Sequence, residues 1–350
     1  MDFLSSIPNT GVIFKRDELR WGVLGTARIA AEALIPAINA ARHNSVIAVG
    51  SRNVTRALEF ARPFEIPKAF GSYEEVLADA DVQAVYIPLP NSEHKGWALK
   101  AIEAGKHVLV EKPFALTADE AQEMISAALE KHVVLMEAFM YRYHSRYQKL
   151  EELLRKNEIG KLRFVESSFS FNLDNPDDIR LNPALGGGVL YDIGCYNVNL
   201  QRMLVGREPL FAQALTHQGS TGVDLQATAT LDFGEQVYGH FSVAFTAEHQ
   251  QFVRVVGTEG LLEMENPFSS HNQSSSALVV KGEERRKLNF RAENDYQKMI
   301  EQFYDVVTSR EAPQFPLSDA VNNLVVLEAL FQSAVDGGRM VSIRDQKPAA

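Results

Sequence analysis

The stretch His107–Thr117, HVLVEKPFALT, decides how the first part of the chain folds. Its short apolar run VLV is typical of a strand that is buried on both faces of a parallel sheet. Thr117, with Glu120 three residues further on, has the capping-box pattern that begins a helix. Glu111 and Lys112 therefore follow the carboxyl end of a buried strand, and this is the edge at which an open α/β sheet binds its ligands.

Strand and helix patterns alternate on both sides of this stretch. Short apolar runs predict strands, and segments of about 10–15 residues between them predict helices. Such an alternation indicates a parallel, doubly wound sheet. The predicted strands are Leu19–Leu24, Ser45–Gly50, Gln83–Pro88, Val108–Val110 and Val133–Met136, and the predicted helices run to Arg42, from Ser92 to Ala104 and from Ala118 to Lys131.

The pattern changes after Glu137, where longer runs alternate between polar and apolar residues. These runs predict strands of an antiparallel sheet with one exposed face. They are Leu162–Phe171, Leu225–Phe233, Gln236–Phe245 and Gln250–Gly257, with helices at His144–Lys156 and Ser318–Val335 and a last strand at Met340–Ile343. We therefore predict an α/β protein with a parallel-sheet domain at 1–138 and an α+β domain at 139–350.

Composition limits the classes of protein to consider. The 350 residues are 45% hydrophobic and 23% charged, as in a globular protein with a full core. The net charge of −10 argues against a nucleic-acid partner. The single cysteine, Cys195, fits a reducing compartment. The sequence shows neither a membrane-spanning apolar run nor a signal-peptide pattern, so we expect a cytoplasmic protein without a membrane partner. The scattered histidines lack metal-ligand spacing, and no metal is expected.

The turn after the first predicted strand has the composition of a dinucleotide-binding turn. GTARIA, which begins at Gly25, fits G-x-[G/A]-x-x-[G/A], with Ala27 and Ala30 in the second and third places. A strand, turn and helix of this kind bring backbone N–H groups to a pyrophosphate. The residues that we expect to contact the cofactor here are Gly25, Thr26, Ala27, Arg28 and Ile29.

The second predicted strand ends in Ser51-Arg52-Asn53, about 20 residues past the glycine turn, where a ribose contact is expected. An NAD site normally has an acidic residue there, whereas this chain has Arg52, with Arg56 one helical turn later. A guanidinium suits a 2′-phosphate, so the pattern favours NADP(H), and NAD(H) remains an alternative. Without a dinucleotide fold, the same residues would be a solvated arginine pair at the start of a helix.

Two further segments hold candidate site residues. Leu89-Pro90-Asn91 and His94 follow a strand end on the ligand edge, although a single histidine there is more often structural. Gly186–Tyr196, GGGVLYDIGCY, places Asp192 and Tyr196 four residues apart on one helix face. The glycines allow a backbone or a ligand to approach closely. Taken alone, this segment also fits a flexible loop before a core helix.

Five motifs together resemble the glucose-fructose oxidoreductase, inositol dehydrogenase and rhizopine-catabolism (Gfo/Idh/MocA) family. They are GTARIA, PNSEH, AGKHVLVEKP, EAFMYRYH and GGGVLYDIGCY, and the likeness extends from Leu19 to Ile343. The resemblance implies a Rossmann domain, a second domain with a large open sheet, and dinucleotide-dependent oxidation of sugars or polyols. Tyr196, at a position where many members have histidine, resembles the aldose and dihydrodiol dehydrogenase branch. Ala27 departs from the commoner second glycine.

The resemblance also assigns roles to particular residues. It implies that Lys112, Asp192 and Tyr196 are catalytic and that they bind substrate together with Tyr143 and Arg180. The implied cofactor contacts beyond the first two strands are Leu89, Pro90, Asn91, His94, Glu111, Lys112 and Arg142. We expect Tyr196 to be the acid/base, with its pKa lowered by the Lys112 ammonium, and burial to lower the pKa of Lys112 in turn. Asp192 would orient a substrate hydroxyl or Lys112.

These expectations lead to an NADP(H)-dependent aldose 1-dehydrogenase for D-xylose or D-glucose with a lactone product. A dihydrodiol, deoxysugar or polyol dehydrogenase is the alternative within the same class. A non-catalytic sensor, such as the galactose-regulon repressor of yeasts, is the alternative from another class, and Lys112, Asp192 and Tyr196 argue against it. Apolar residues on both faces of one strand, Val243 and Phe245 beside Ala244, predict a homodimer or a larger homo-oligomer through the second sheet.

Overall fold

Two β-sheets organise the chain in the computed structural model, which describes residues 18–343 except 271 and 309. The first sheet has six parallel strands in the order β3-β2-β1-β4-β5-β6. These strands are β1 (Leu19–Leu24), β2 (Asn44–Gly50), β3 (Lys68–Phe70), β4 (Ala84–Ile87), β5 (His107–Val110) and β6 (Leu135–Glu137). The order reverses between β1 and β4, which is the point at which doubly wound sheets bind dinucleotides.

Helices connect the parallel strands. A π-helical turn, Ala30–Leu34, leads into α1, and a 3₁₀ turn, Asn91–Glu93, precedes α4. The helices of this part are α1 (Ile35–Ala40), α2 (Val54–Ala61), α3 (Tyr73–Ala78), α4 (His94–Glu103) and α5 (Ala118–Glu130). The predicted doubly wound sheet is therefore confirmed. The sequence analysis did not find β3, α2 or α3, and the first helix ends at Ala40 rather than Arg42.

The predicted cap of α5 is present in the structure. Thr117 Oγ1 accepts a hydrogen bond from the Glu120 backbone N–H at 3.1 Å. In a full capping box the Glu120 carboxylate would accept from the Thr117 N–H. Here it accepts from the Leu116 N–H instead, also at 3.1 Å. This cap fixes where the chain turns after β5, and so it fixes the direction in which the Glu111-Lys112-Pro113 segment leaves the sheet.

The second sheet has nine strands in the order β14-β13-β12-β11-β7-β10-β9-β8-β15, with a single parallel pair, β7 and β10, among the described residues. The strands are β7 (Leu162–Asn172), β8 (Phe211–Gln218), β9 (Asp224–Asp232), β10 (Tyr238–Ala244), β11 (Thr246–Gly257), β12 (Leu261–Glu265), β13 (Ser275–Lys281), β14 (Glu284–Phe290) and β15 (Val341–Ser342). The predicted large, mostly antiparallel sheet is confirmed.

Four helices complete this part of the chain, and they also join it to the first sheet. They are α6 (Ser145–Arg155), α7 (Cys195–Val205), α8 (Asp295–Val307) and α9 (Leu317–Val335). Helix α8 packs against α1, and α9 packs against α5. The Glu328 carboxylate of α9 accepts a hydrogen bond from the Ala118 N–H at 2.8 Å. Two helices that lie between β14 and β15 in sequence therefore fix the parallel sheet beside the second sheet.

Residues at the end of β10 alternate between the two faces of the second sheet. Val243 and Phe245 are both buried, whereas Ser242 between the buried neighbours is exposed and Ala244 is half-buried. Val243 and Phe245 thus lie on the buried face, and Ala244, like Tyr238, lies on the opposite face, as the period of two requires. The helices of the described chain include none that is long and apolar enough to cross a membrane.

Candidate active site

Lys112 follows β5 and reaches the helix that begins after the three glycines. Its Nζ donates to Asp192 Oδ1 at 2.9 Å and to the Asp192 carbonyl oxygen at 2.7 Å. Both side chains are only 13% exposed. The Lys112–Pro113 peptide bond is cis. The structure therefore joins two residues that are 80 positions apart in the sequence, and both were expected to be catalytic.

Asp192 is held by two cations. Its second carboxylate oxygen accepts from Arg180 Nε at 2.7 Å, and Arg180 Nη1 also contacts Asp178 at 3.2 Å. Arg180 lies in the 3₁₀ turn Ile179–Leu181, which packs beside the glycine segment. With one oxygen bound to Lys112 and the other to Arg180, the carboxylate is fixed in orientation. Arg180 thus contacts Asp192 directly, in addition to any substrate role.

These contacts decide the charges in the site. Burial favours a raised pKa for Asp192, but Lys112 and Arg180 outweigh it and bring that pKa down to about 2. Burial likewise opposes the charge on Lys112, but Asp192 outweighs it, so the pKa of Lys112 is raised. Burial does lower the pKa of Lys112 as expected, but the expected net lowering is not found, because the nearby carboxylate more than compensates for the lost hydration. At neutral pH the site contains a lysine cation, an aspartate anion and an arginine cation.

Tyr196 lies one turn further along the same helix. Lys112 Nζ is 5.0 Å from the centroid of its ring, over the ring face. The Tyr196 hydroxyl oxygen lies 3.9 Å from Met140 Sδ. The aromatic rings around it are those of Phe139, Tyr141, Phe169 and Phe268. Burial in this group raises the pKa of Tyr196 well above its ordinary value, so the expected lowering by Lys112 is not what the structure shows.

The glycine segment explains how the helix reaches Lys112. A Cβ on Gly187 would lie 2.4 Å from the Arg180 carbonyl oxygen, and one on Gly188 would lie 2.1 Å from Asp224 Oδ1. Asp224 Oδ2 in turn accepts from the Leu190 N–H at 2.8 Å. The close approach predicted for these glycines is therefore made by this chain's own backbone and by Asp224. A π-helical turn, Leu190–Gly194, then leads into α7, and such turns are frequent at functional sites.

Asn91 and His94 join the ligand-edge loops to one another. Asn91 Nδ2 donates to the Gly186 carbonyl oxygen at 2.8 Å. His94 is fully buried, and its ring nitrogens lie 2.8 Å from the Pro113 carbonyl oxygen and 2.9 Å from that of Leu89. Burial lowers the pKa of His94 to about 4. His94 thus binds two loops together and does not reach a ligand surface, which corrects its expected role as a cofactor contact.

The turn at Gly25 has a backbone conformation that favours glycine. Gly25 has a φ of +116°, and a Cβ there would lie 3.0 Å from Leu89 Cδ2 and 3.7 Å from the Tyr73 hydroxyl. Thr26 and Ala27 are half-buried. The helix begins directly afterwards, at Arg28, so its N-terminal N–H groups face the turn. Pro90, like Leu89, is half-buried beside it.

The residues after β2 lead into α2. Asn53 Oδ1 caps α2 by accepting from the Arg56 N–H at 3.2 Å, while Ser51 is buried. Arg52 and Arg56 are exposed. Burial raises the pKa of Tyr73, and the nearby charges of Arg52 and Arg56 oppose this shift. One corner of the sheet edge therefore contains the two guanidinium groups, the Tyr73 hydroxyl and the Gly25 turn.

Glu111 is bound from the neighbouring strand. The Tyr86 hydroxyl donates to Glu111 Oε1 at 2.5 Å, and burial raises the pKa of this carboxyl although Tyr86 and Lys112 oppose the shift. Tyr296 lies at the start of α8. Glu111 contributes to the raised pKa of Tyr296, and Tyr296 contributes to the raised pKa of Tyr196. Tyr73, Tyr86 and Tyr296 were not expected in the site. Their only signal in the sequence is position, near strand ends and helix starts.

Arg142 and Tyr143 lie apart from the group around Lys112. Arg142 is buried, donates to Asp319 Oδ2 at 2.6 Å and stacks on Phe315 at 4.1 Å. The Tyr143 hydroxyl contacts Met136 Sδ at 3.4 Å. The two residues expected to bind cofactor and substrate are thus placed in the interior, and Tyr141 packs against Tyr196 instead. The part of the chain that the structure describes contains no group of three metal-ligating side chains.

Comparisons with known proteins agree with this geometry. Residues 19–139 match an oxidoreductase family with an NAD-binding Rossmann fold, and residues 147–263 match the GFO/IDH/MocA C-terminal domain. D-xylose 1-dehydrogenase (NADP(+)) 2 of Haloferax volcanii is 35% identical over 322 residues, 91% of this chain and 98% of the relative. Human trans-1,2-dihydrobenzene-1,2-diol dehydrogenase is 34% identical over 270 residues, 76% and 79% of the two chains.

A solved structure is similar over most of its length. KijD10, a 3-ketoreductase from Actinomadura kijaniata in complex with NADP and TDP-benzene, has a TM-score of 0.86 at 28% identity, covering 90% of this chain and 98% of that one. A Rossmann domain beside a large mixed sheet, with lysine, aspartate and tyrosine meeting between them, defines a class of dinucleotide-dependent oxidoreductases. The chain belongs to the GFO/IDH/MocA oxidoreductase family.

Proposed function

We propose that the protein is an NADP(H)-dependent aldose 1-dehydrogenase, which oxidises a sugar such as D-xylose or D-glucose to its lactone. The observation that carries this proposal is the contact of Lys112 with Asp192 beside the ring of Tyr196, after the end of β5. The three side chains offer an ammonium for a substrate oxygen, a carboxylate that holds the ammonium, and a hydroxyl that can exchange a proton.

The residues at the sheet edge fit a dinucleotide. The positive φ of Gly25 and the nearness of Leu89 disfavour a side chain at this position. The helix that begins at Arg28 favours negative charge at its N-terminus, as a phosphate provides. The exposed guanidinium groups of Arg52 and Arg56 suit a 2′-phosphate, so NADP(H) is the preferred cofactor. When bound, the nicotinamide supplies the hydride acceptor or donor.

The raised pKa values of Lys112 and Tyr196 determine which of these groups carries a proton at neutral pH. Lys112 and Tyr196 both hold their protons at neutral pH. A proton is therefore available for a carbonyl oxygen in the reductive direction, whereas oxidation of a hydroxyl requires a group that has first lost its proton. We assign this transfer to Tyr196, since Lys112 remains bound to Asp192. Oxidation should accordingly become faster as the pH rises above neutrality, and reduction should become slower.

Names of similar proteins support this proposal. The Haloferax volcanii relative is a xylose dehydrogenase that uses NADP(+), and KijD10 has been solved with NADP. KijD10 has also been solved with a lysine replaced by alanine and with a tyrosine replaced by phenylalanine. Those residue types are the ones that Lys112 and Tyr196 contribute here.

A second candidate is oxidation of a cyclic diol, as the name of the human relative suggests. The aromatic rings around Tyr196 favour it, because Phe169 is half-buried and could contact an apolar ring of the substrate. A deoxysugar or polyol dehydrogenase would use the same catalytic residues. A non-catalytic sensor would not need Lys112 and Asp192 to be paired in a buried site.

The experiment that tests the proposal is a substrate screen with NADP⁺, in which reduced nicotinamide is followed by absorbance. Aldoses, polyols and cyclic diols are compared at equal concentration, at neutral and at alkaline pH. An aldopyranose should react fastest, because a site built for hydroxyls rejects analogues that lack them. Turnover of aromatic diols alone would support the second candidate and contradict the first.

We also propose a homodimer in the cytoplasm. The outer face of the second sheet exposes Phe164 and Tyr238, whose side chains lie beside each other with ring centroids 6.5 Å apart, and His240 stacks on Phe164 at 6.2 Å. An exposed aromatic group on a broad sheet suits a twofold interface. The single cysteine, Cys195, is buried and reduced, which is compatible with a reducing compartment.

A further inference from the structure

A cavity of about 200 Å³ lies at the outer edge of the parallel sheet, apart from Lys112 and its partners. Edge strand β6 and the residues before it form one wall, and the link between α8 and α9 with the start of α9 forms the other. Apolar side chains line most of it, among them Val134, Phe315, Leu317 and Ala320. Because a cavity of roughly 150 Å³ holds a benzene ring, this one has room for a ring and a small substituent.

Two polar side chains line the cavity, and each has an atom without a partner. Glu137 and Arg142 are each only 4% exposed. Glu137 Oε1 accepts from the Phe114 N–H at 2.9 Å, and Arg142 Nη1 donates to Asp319. Within the described part of the chain, Glu137 Oε2 and Arg142 Nε have no hydrogen-bond partner. Buried polar atoms are nearly always paired, so these two indicate a ligand.

The two atoms also indicate which group the ligand carries. Arg142 Nε is a donor and needs an acceptor oxygen. Burial raises the pKa of Glu137 to about 8 against the opposing effect of Arg142, so this carboxyl is largely protonated at neutral pH. A protonated carboxyl can donate from one oxygen or accept at the other. A ligand carboxyl or carboxamide group provides a carbonyl oxygen for Arg142 and a second atom for Glu137.

We propose that this cavity binds a small apolar ring that carries one carboxyl or carboxamide group, with the ring among the apolar side chains and the polar group on Glu137 and Arg142. The polar wall is connected to the catalytic residues on both sides. Glu137 holds the Phe114 N–H, two residues after Lys112, and Asp319 is bound by both Arg142 and Arg202 of α7. The site is nevertheless distinct from the catalytic one, and its existence does not depend on the proposed sugar substrate.

Titration of the full chain with benzamide, benzoate and toluene, followed by calorimetry and by the shift in Tm, tests the proposal. Benzamide or benzoate should bind saturably and about tenfold more tightly than toluene, which has the ring without the polar group. Lys112→Ala should leave this binding unchanged, because the ligand does not occupy the catalytic site. Equal binding of toluene would overturn the assignment of Glu137 and Arg142, and absence of saturable binding by all three would overturn the site.

Variants locate the binding. Ala320→Leu adds volume inside the cavity and should weaken binding about tenfold or more. Val335→Leu is the matched control on the same helix, since Val335 is 80% exposed and its change should have no effect. If Ala320→Leu does not fold, Val134→Met fills the same cavity from a half-buried position. Binding that is as tight in the filled variant as in the wild type, or that is lost in Lys112→Ala, places the ligand elsewhere and contradicts the proposal.

Discussion

The carboxylate of Asp192 determines the state of the residues around it. It accepts from Lys112 Nζ at 2.9 Å and from Arg180 Nε at 2.7 Å, and these contacts bring its pKa to about 2. A folded-state pKa below the ordinary value of 3.8 means that the folded protein binds fewer protons than the unfolded chain. The resulting stabilisation, about 2 kcal/mol, is present above about pH 4 and is lost as the pH falls through about 2.

We expect Asp192→Asn to lower the free energy of unfolding at neutral pH by roughly 3–5 kcal/mol, because it leaves two buried cations without their counter-ion. The difference from the wild type should shrink as the pH falls towards about 2, where the wild-type carboxylate also becomes neutral. Urea unfolding of both proteins over this pH range measures the effect. Asp174→Asn, at an exposed aspartate, is the control. A destabilisation that is independent of pH would contradict the charge account.

We propose that the cofactor preference depends on Arg52. Its exposed guanidinium follows β2, beside Tyr73 and the Gly25 turn. We expect Arg52→Asp to shift the ratio of kcat/KM for NADP⁺ over NAD⁺ towards NAD⁺, because an acidic residue repels a 2′-phosphate and accepts from a 2′-hydroxyl. Arg291→Asp, at an exposed loop position in the second part of the chain, should leave the ratio unchanged. Equal preference in wild type and Arg52→Asp would exclude this role.

Among the elements, the glycine segment and the helix after it determine where Asp192 and Tyr196 lie. Gly188 has a φ of +118°, and its missing Cβ allows Asp224 to reach the N-terminal turn of the helix. Asp224 holds the Leu190 N–H, two residues before Asp192. The position of Asp192 and Tyr196 therefore depends on a contact between the glycine segment and β9.

We expect Gly188→Ala to lower the free energy of unfolding by about 1–3 kcal/mol, from the strained backbone and the displaced carboxylate, and to reduce kcat as well. Gly96→Ala is the control, because Gly96 lies inside α4 with no atom within 4 Å of the added Cβ. That change should be neutral or stabilising by up to about 1 kcal/mol. Thermal unfolding and steady-state kinetics of both variants measure the difference. Equal behaviour of the two variants would show that Asp224 does not position the helix.

Local signals explain why the sequence predicted these elements. The run at His107–Thr117 contains its own strand pattern and its own helix cap, and the glycines precede Asp192 directly. The contacts of the His94 and Arg142 side chains were not predictable from local signals. Their partners, the Pro113 carbonyl oxygen and Asp319, are 19 and 177 residues away and meet them only through packing. The charge of Lys112 likewise depends on a residue 80 positions further on.

In the molecule as a whole, the two sheets are fixed beside one another by the helices between β14 and β15. Helix α9 binds the start of α5 through Glu328, and the same helix supplies Asp319 to the buried arginines Arg142 and Arg202. The other face of the second sheet has no helix of the described chain packed on Phe164 and Tyr238, which are 40% and 37% exposed. This face is the surface that we propose for dimerisation.

We expect light scattering to give the mass of a dimer for the wild type at micromolar concentration. Phe164→Asp should shift the mass towards the monomer, because it places a charge in the apolar centre of the interface. Leu129→Asp, at a 65% exposed position on α5, should leave the dimer intact. A wild-type protein that is monomeric would refute the interface.

We propose that Lys112 and Tyr196 act as one proton-transfer unit on a sugar. The most direct measurement is kcat for an aldose with NADP⁺ in Tyr196→Phe, Lys112→Met and the double variant. We expect each single change to lower kcat by about 10²–10⁴. The double variant should lose little more than either single variant, and NADP⁺ binding should survive. A Tyr196→Phe enzyme with near-normal kcat would contradict this proposal and would leave Lys112 alone as the proton-transfer group.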